Sequence, residues 1–286
     1  MKRRIVSPFL IITVFVGVLA IVLSLTGTKQ VNVPVPPEPQ IIQSSPTPTP
    51  TATPLPIPAH SGRQVEIPIL TYHYIGYNPN PEDKSRQYLQ VTPDKFEEQM
   101  KYLSENGYQT IDFDRLFAVL SGQAILEPKS IILTFDDGYV DFYINAYPIL
   151  KQYNLHAVSF IPTNLIGGSY YMNWDQIREI NSSGLVSFQS HSVNHSDLIS
   201  LSDSQLKYQL GESKKVLEEK LGKNINTLCY PYGRSDERVW QAVREVGYIG
   251  AVGTWVSSTI SEGVILDMPR IKISGTYNLS DFISQL

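Results

Sequence analysis

The strongest constraint in this sequence is a rhythm that starts at Val65 and runs through residue 273. Short, nearly unbroken apolar runs alternate with longer segments of helical periodicity. The runs are Ile67–Tyr72, Ser130–Phe135, Ala157–Ile161, Leu185–Gln189, Thr227–Tyr230, Tyr248–Val252 and Arg270–Ile273. They have the length of strands, and several lack the alternation of a sheet with one wet face. Such strands are buried on both sides, as a parallel sheet covered by helices requires. Between them, Phe96, Met100 and Leu103 share one helical face behind Thr92 as cap and Pro93 at the first position, with Gly107 ending the turn. Ser202 and Gln205 form a capping-box pattern ahead of Leu206, Leu210, Leu217 and Leu221, and Gly222 stops that helix. Asp236 caps a third, with Val239, Val243 and Val246 facing inward. Repeated βα units predict an α/β fold: a β/α barrel, with a doubly wound open sheet as the alternative. Both gather functional groups at the carboxyl ends of the strands.

The chain ahead of this region reads differently. Lys2, Arg3 and Arg4 precede an uncharged run from Ile5 to Thr28, centred on Phe9–Leu25. A helix of about 20 apolar residues crosses a bilayer, and the basic cluster stays on the cytoplasmic side. Residues 1–28 are therefore expected to be a membrane anchor, a cleaved signal peptide being the alternative. Residues 29–62 hold closely spaced prolines from Pro34 to Pro58. Proline fixes φ and lacks an amide proton, so this stretch is expected to be an extended, disordered Pro/Thr-rich spacer. The remaining residues, 63–286, form the folded domain. It is expected outside the cytoplasm, membrane-tethered or, after cleavage, secreted.

Composition narrows the function. With 27 acidic against 23 basic residues, the net charge is −4, which argues against broad electrostatic capture of nucleic acid. The single cysteine, Cys229, rules out an internal disulfide and a cysteine-based zinc site. Nothing in the sequence sets the oligomeric state.

Four polar clusters directly follow strand candidates: His73, Asp136-Asp137-Gly138, His191-Ser192-Val193-Asn194-His195, and Pro231-Tyr232-Gly233. Taken singly, each has a plain structural explanation, as a turn or a satisfied core histidine. Together they offer two imidazoles and a carboxylate, a three-ligand set that leaves a place open for water or substrate. The paired aspartates suggest a division of labour, one holding metal and its neighbour removing a proton from metal-activated water.

At this point Thr134-Phe135-Asp136-Asp137-Gly138 and His191–His195 resemble the first two motifs of polysaccharide deacetylases, the NodB-homology domains of carbohydrate esterase family 4. The resemblance extends over roughly residues 65–286. It implies a distorted (β/α)7 barrel that hydrolyses N-acetyl or O-acetyl groups on glycans. It makes Asp136 the general base and Asp137, His191 and His195 the ligands of a divalent metal, with zinc first and cobalt or nickel as alternatives. The backbone amide of Tyr232, in the segment Cys229–Gly233, would help to stabilise the oxyanion.

Three departures from that pattern stand out. Many members carry arginine where Cys229 stands, and it holds the base. The usual Asp-Trp pair reads Thr254-Trp255 here, and the resemblance still implies that Trp255 walls the acetyl pocket. The Leu-x-His that supplies the acid is absent, the region reading Leu266 to Arg270. Of the five histidines, His60 lies in the spacer and His156 precedes its strand, which leaves His73 as general acid. This looks like the subgroup of poly-N-acetylglucosamine deacetylases, in which an early Tyr-His supplies the acid. Arg270 is a candidate to replace the missing arginine, a structural role being the alternative. Tyr170, Tyr171 and Trp174 are candidates to line a sugar groove, or to pack as core.

The expected activity is removal of acetyl groups from an N-acetylglucosamine-containing polysaccharide, either peptidoglycan or poly-N-acetylglucosamine. Its alternatives are an O-acetyl esterase acting on xylan-like glycans and an inactive glycan-binding module.

Overall fold

The computed structural model describes residues 62–80 and 82–286. The expected anchor, 1–28, and residues 29–61 of the expected spacer lie outside the described residues. Among the described residues, no helix is long and apolar enough to cross a membrane.

The main sheet is built from β1 (Ile69–Tyr72), β3 (Ser130–Phe135), β4 (Ala157–Ile161), β5 (Val186–Ser190), β6 (Thr227–Cys229), β7 (Gly250–Val252) and β8 (Ile271–Lys272). A short β2 (Gln109–Thr110) pairs with the start of β3. Neighbours run β7-β6-β5-β4-β3-β1-β8. Every pair along that path is parallel. All seven strand candidates are present, five of them to within one residue at each end, because their apolar runs are what two covered faces demand. All six residues of β3 are buried.

The period of two along each strand divides the core into two faces. Leu70, Ile131, Leu133, Phe135 and Ala157 join the larger cluster beneath the helices. Ile69, Ile132, Val158, Phe160 and Cys229 join a smaller one on the other face, which α2 (Phe113–Leu120) covers with Phe113, Leu116, Phe117 and Leu120. That spacing of three and four is one helical stripe.

The ladder is not a complete ring of strands. It ends at β7 on one side and β8 on the other, and a parallel bridge, Val252 with Met268, joins β7 to the segment that leads into β8. Past Pro269, the Arg270 amide again donates across, to the Trp255 carbonyl at 2.9 Å. The chain thus has the expected α/β class with a parallel sheet, and backbone hydrogen bonds between residues 251–255 and 265–270 join its two edges.

The helices follow their caps. Thr92 occupies the cap position of α1 (Pro93–Glu105), but its side chain makes no capping hydrogen bond, which corrects the sequence expectation. The Ser202 amide donates to the Gln205 side chain at 3.0 Å ahead of α5 (Asp203–Leu221). Asp236 accepts from the Val239 amide at 2.9 Å ahead of α6 (Glu237–Val246). The remaining long helices are α3 (Tyr147–Tyr153) and α4 (Trp174–Ser182).

Candidate active site

Parallel strands carry every carboxyl end to one rim, and the four polar clusters meet there. His73 leaves β1, Asp136 and Asp137 leave β3, His191 leaves β5, and Tyr230–Gly233 leave β6. The turns that aim these groups are tightly wound. Of the six described non-glycine residues with positive φ, four lie here: Asp137 (74°), Ser192 (66°), His195 (59°) and Tyr232 (61°). Such conformations persist where the surroundings enforce them, and they cluster at functional sites. Gly138, at φ 73°, could carry no Cβ without lying 2.6 Å from Ile161 Cγ2.

Asp137 Oδ1 lies 3.4 Å from His191 Nε2 and 3.3 Å from His195 Nε2. The donor atoms all fall within 4.8 Å of one another. A tetrahedral ion with bonds of about 2.0–2.1 Å sets its ligand atoms about 3.3–3.4 Å apart. One carboxylate and two imidazoles at this spacing therefore fit a divalent metal. The second imidazole nitrogen of His191 completes the case: Nδ1 lies 2.7 Å from the Cys229 carbonyl oxygen. A carbonyl only accepts, so Nδ1 carries the proton and Nε2 keeps its lone pair for an ion, the arrangement by which ligating histidines are oriented. Burial pushes the Asp137 carboxyl up, and His191, when protonated on both nitrogens, outweighs it and holds that carboxyl below its ordinary range; an ion would take the place of the Nε2 proton.

Asp136 points the other way, onto the inner face with Thr134 and Cys229. It is 5% exposed. Arg270, 2% exposed, grips it with two parallel bonds: Nη1 to Oδ1 and Nη2 to Oδ2, each 2.8 Å. The guanidinium is itself held, Nε donating to the Gly253 carbonyl at 2.9 Å and Nη1 to Thr134 Oγ1 at 3.1 Å. Burial pushes the Asp136 carboxyl up, but the Arg270 charge and its hydrogen bonds overcome this and hold it well below the usual carboxylate range. Arg270 Nη2 also lies 3.1 Å from Cys229 Sγ. A guanidinium thus reaches, from the start of β8, the place beside Cys229 that was expected to lack one.

His73 Nε2 lies 3.8 Å from Asp136 Oδ2. Burial lowers its pKa, opposed by the charges of Asp136 and Asp137. The Tyr232 ring meets His195 edge to face at 4.7 Å between centroids. All the residues singled out from sequence for this site, His73, Asp136, Asp137, His191, His195 and Tyr232, thus lie together. Trp255 is half-exposed and its indole donates to the Asp267 carbonyl at 2.7 Å. Trp174 packs against the core, with Lys220 near its ring.

Sequence reasoning passed over Tyr74, Tyr139 and Arg86. Tyr74 and Tyr139 stack at 4.0 Å between centroids, Tyr139 stacks on Tyr171 at 5.4 Å, and the Arg86 guanidinium sits 4.0 Å over Tyr74. The available signal was adjacency: Tyr74 follows His73, and Tyr139 follows Gly138.

The comparisons with known proteins agree with this architecture. Residues 124–251 match the family model for polysaccharide deacetylase. A Bacillus subtilis protein named as a polysaccharide deacetylase, YxkH, is 30% identical over 212 residues, 74% of this chain and 73% of that protein. The Streptococcus pyogenes deacetylase PplD, solved in complex with acetate, superposes with a TM-score of 0.73 at 31% identity, covering 78% of this chain and 99% of that one. The poly-beta-1,6-N-acetyl-D-glucosamine N-deacetylase of Escherichia coli is 24% identical over 252 residues, 73% of this chain but 37% of that longer protein.

Proposed function

This chain belongs to the polysaccharide deacetylase family, and we propose that it removes N-acetyl groups from an N-acetylglucosamine-containing polysaccharide with the help of a divalent metal. One observation carries the reading: Asp137 Oδ1 within 3.4 Å of two imidazole nitrogens, beside an Asp136 carboxylate kept ionised by Arg270. Similarity to poly-beta-1,6-N-acetyl-D-glucosamine deacetylases supports that polymer, with peptidoglycan the other candidate. The acetate bound to the streptococcal deacetylase is the product such a reaction would release. The irregular closure between β7 and the segment ahead of β8 supports reading the sheet as the family's distorted (β/α)7 barrel.

Asp137, His191 and His195 would hold the ion, and this donor set suits zinc, cobalt or nickel. When bound, a divalent ion supplies Lewis-acid chemistry, making water more acidic and polarising the acetyl carbonyl. Asp136, ionised across the working pH range, accepts a proton from the attacking water as its oxygen bonds to the acetyl carbon. Arg270 fixes the orientation of that carboxylate and touches no substrate. The Tyr232 amide donates to the developing oxyanion, a contribution of about 2.7–4 kcal/mol for one such donor. His73 then gives a proton to the sugar nitrogen as the C–N bond breaks, releasing acetate and a free amine.

We also propose that residues 1–28 anchor the chain and 29–62 hold the domain 63–286 outside the cytoplasm. The support is the basic cluster, apolar run and prolines of the sequence; the full-length protein in membrane fractions would agree, and its absence there would not.

The central test is acetate release from N-acetylglucosamine oligomers after chelation and stepwise return of zinc, cobalt or nickel. Activity that vanishes with chelator and returns with metal is expected. Metal-independent release, or ester hydrolysis with no amide hydrolysis, would overturn the proposal.

A further inference from the structure

Two turns of the rim, one after β5 and one after β6, carry His195 and Tyr232. Among the described residues, no backbone hydrogen bond joins residues 192–203 to 230–236. Yet the Tyr232 and His195 rings meet, so something else must set one turn against the other. Tyr232 is 63% exposed at φ 61°. An exposed side chain does little to hold a left-handed residue in place, and its turn has to be fixed from the flanks. On the leading flank, Tyr230 is buried and its hydroxyl donates to the Leu266 carbonyl at 2.6 Å.

The trailing flank is held by two arginines four positions apart. Arg234 Nη1 pairs with Asp197 Oδ2. Arg238, in the first turn of α6, donates through Nη2 to the Ile199 carbonyl at 3.1 Å and the Leu198 carbonyl at 3.5 Å. Its Nη1 donates to Asp203 Oδ1, at the start of α5, at 3.0 Å. All four acceptors lie in the short segment that runs from His195 into α5. That segment is braced internally as well: the Asp197 carbonyl accepts from the Ser200 amide at 3.1 Å and from the Ser200 hydroxyl at 2.7 Å. One exposed ion pair contributes little, but several charged contacts converging on one segment act as a network, and hydrogen bonds from charged donors are the stronger kind.

We propose that Arg234 and Arg238 are positioning residues for catalysis, a clamp that registers the Tyr232 amide against the turn presenting His195. The inference rests on the deacetylase reading, in which the acetyl oxygen needs groups from both turns at once. A misplacement of about 1 Å in such an arrangement can cost about a hundredfold in rate, so loosening the clamp should act on kcat.

The test uses full-length protein with Arg234→Gln, Arg238→Gln, both together, Asp197→Asn, and Asp197→Asn with Arg234→Gln. Hydrogen exchange at the amides of residues 233 and 234, which close the Tyr232 turn onto the Tyr230 and Pro231 carbonyls, reads the turn without any turnover. The β3 amides report global opening. Exchange at the turn should quicken about two- to fivefold in Arg234→Gln and on the order of tenfold when both arginines are replaced, with β3 unchanged. With zinc restored, kcat on the N-acetylglucosamine tetramer should fall to a similar extent, with KM within about twofold of the parent and zinc per chain unaltered. Asp197→Asn with Arg234→Gln should be no slower than Arg234→Gln alone, because the two side chains act through one contact. Arg234 is exposed, so its single variant keeps the test intact if the combined one unfolds. Turn exchange equal to the parent's, exchange that rises as much in β3, an unchanged kcat, or full additivity of the Asp197 and Arg234 changes would each overturn the proposal. If the parent hydrolyses no amide, the functional reading fails by itself, and the exchange rates still decide the clamp.

Discussion

Replacing Arg270 by Met would leave a carboxylate sealed in the core without its cation. The parent pair is about as buried as a pair can be, 2% and 5% exposed, with two bonds of 2.8 Å. Solvent screening therefore does little to discount it. Breaking such a pair from one side costs about 3–5 kcal/mol, because the surviving charge is left uncompensated. For a domain of this size, that lowers Tm by roughly 6–20 °C. The loss should depend on pH with a definite sign. In the parent, Asp136 is depressed below its unfolded value of about 3.9. It therefore contributes stability that is present above that pH and lost only as the pH falls through the lower folded pKa. In Arg270→Met, only His73 and His191 are left to oppose burial, which is the largest influence on this carboxyl, and it lifts the carboxyl above the unfolded value, so the charged form destabilises at neutral pH and protonation relieves it. The deficit against the parent should be largest near pH 7 and should shrink on acidification to pH 4. Denaturant midpoints at pH 7, 5.5 and 4 measure this, and the acid limb of kcat/KM should move upward with it. Arg270→Lys, which keeps a charge but not the fork, should recover part of the stability. A deficit below about 1 kcal/mol, or one that stays constant across that pH range, would refute the account of Arg270 as the group that holds Asp136 ionised.

The remaining expectations are simpler. His73→Asn should lower turnover by about 10²–10⁴ while leaving bound metal per chain unchanged by elemental analysis; an unaltered rate would remove it from the mechanism. His195→Ala should lose metal without global unfolding, as read by elemental analysis and circular dichroism together. Gly138→Ala places a Cβ against Ile161 at positive φ and should cost about 1–3 kcal/mol or more in denaturant midpoint. Cys229 is fully buried, and burial raises its thiol pKa; it should resist a thiol reagent in native protein and react on unfolding, and fast native labelling would contradict the packing described.

Much of this protein was determined by local sequence. A run such as Ser130–Phe135 specifies a doubly covered strand because no other short element hides six such residues, and Asp236 caps a helix wherever the chain goes next. Parallel strands alone dictated that His73, Asp136, Asp137, His191 and Tyr232 would share a rim. The sequence did not decide the partnerships that cross the sheet. Arg270 and Asp136 are 134 positions apart, and nothing local distinguishes that arginine from a surface one. Only the ladder that sets β8 beside β1 brings its guanidinium to the carboxylate. The stack of Tyr74, Tyr139 and Tyr171 is likewise made by three loops that meet above different strands. Strand and helix preferences arise from neighbours along the chain, which a sequence displays directly; pairings between distant side chains depend on strand order, register and turn geometry, and these exist only once the whole core has formed.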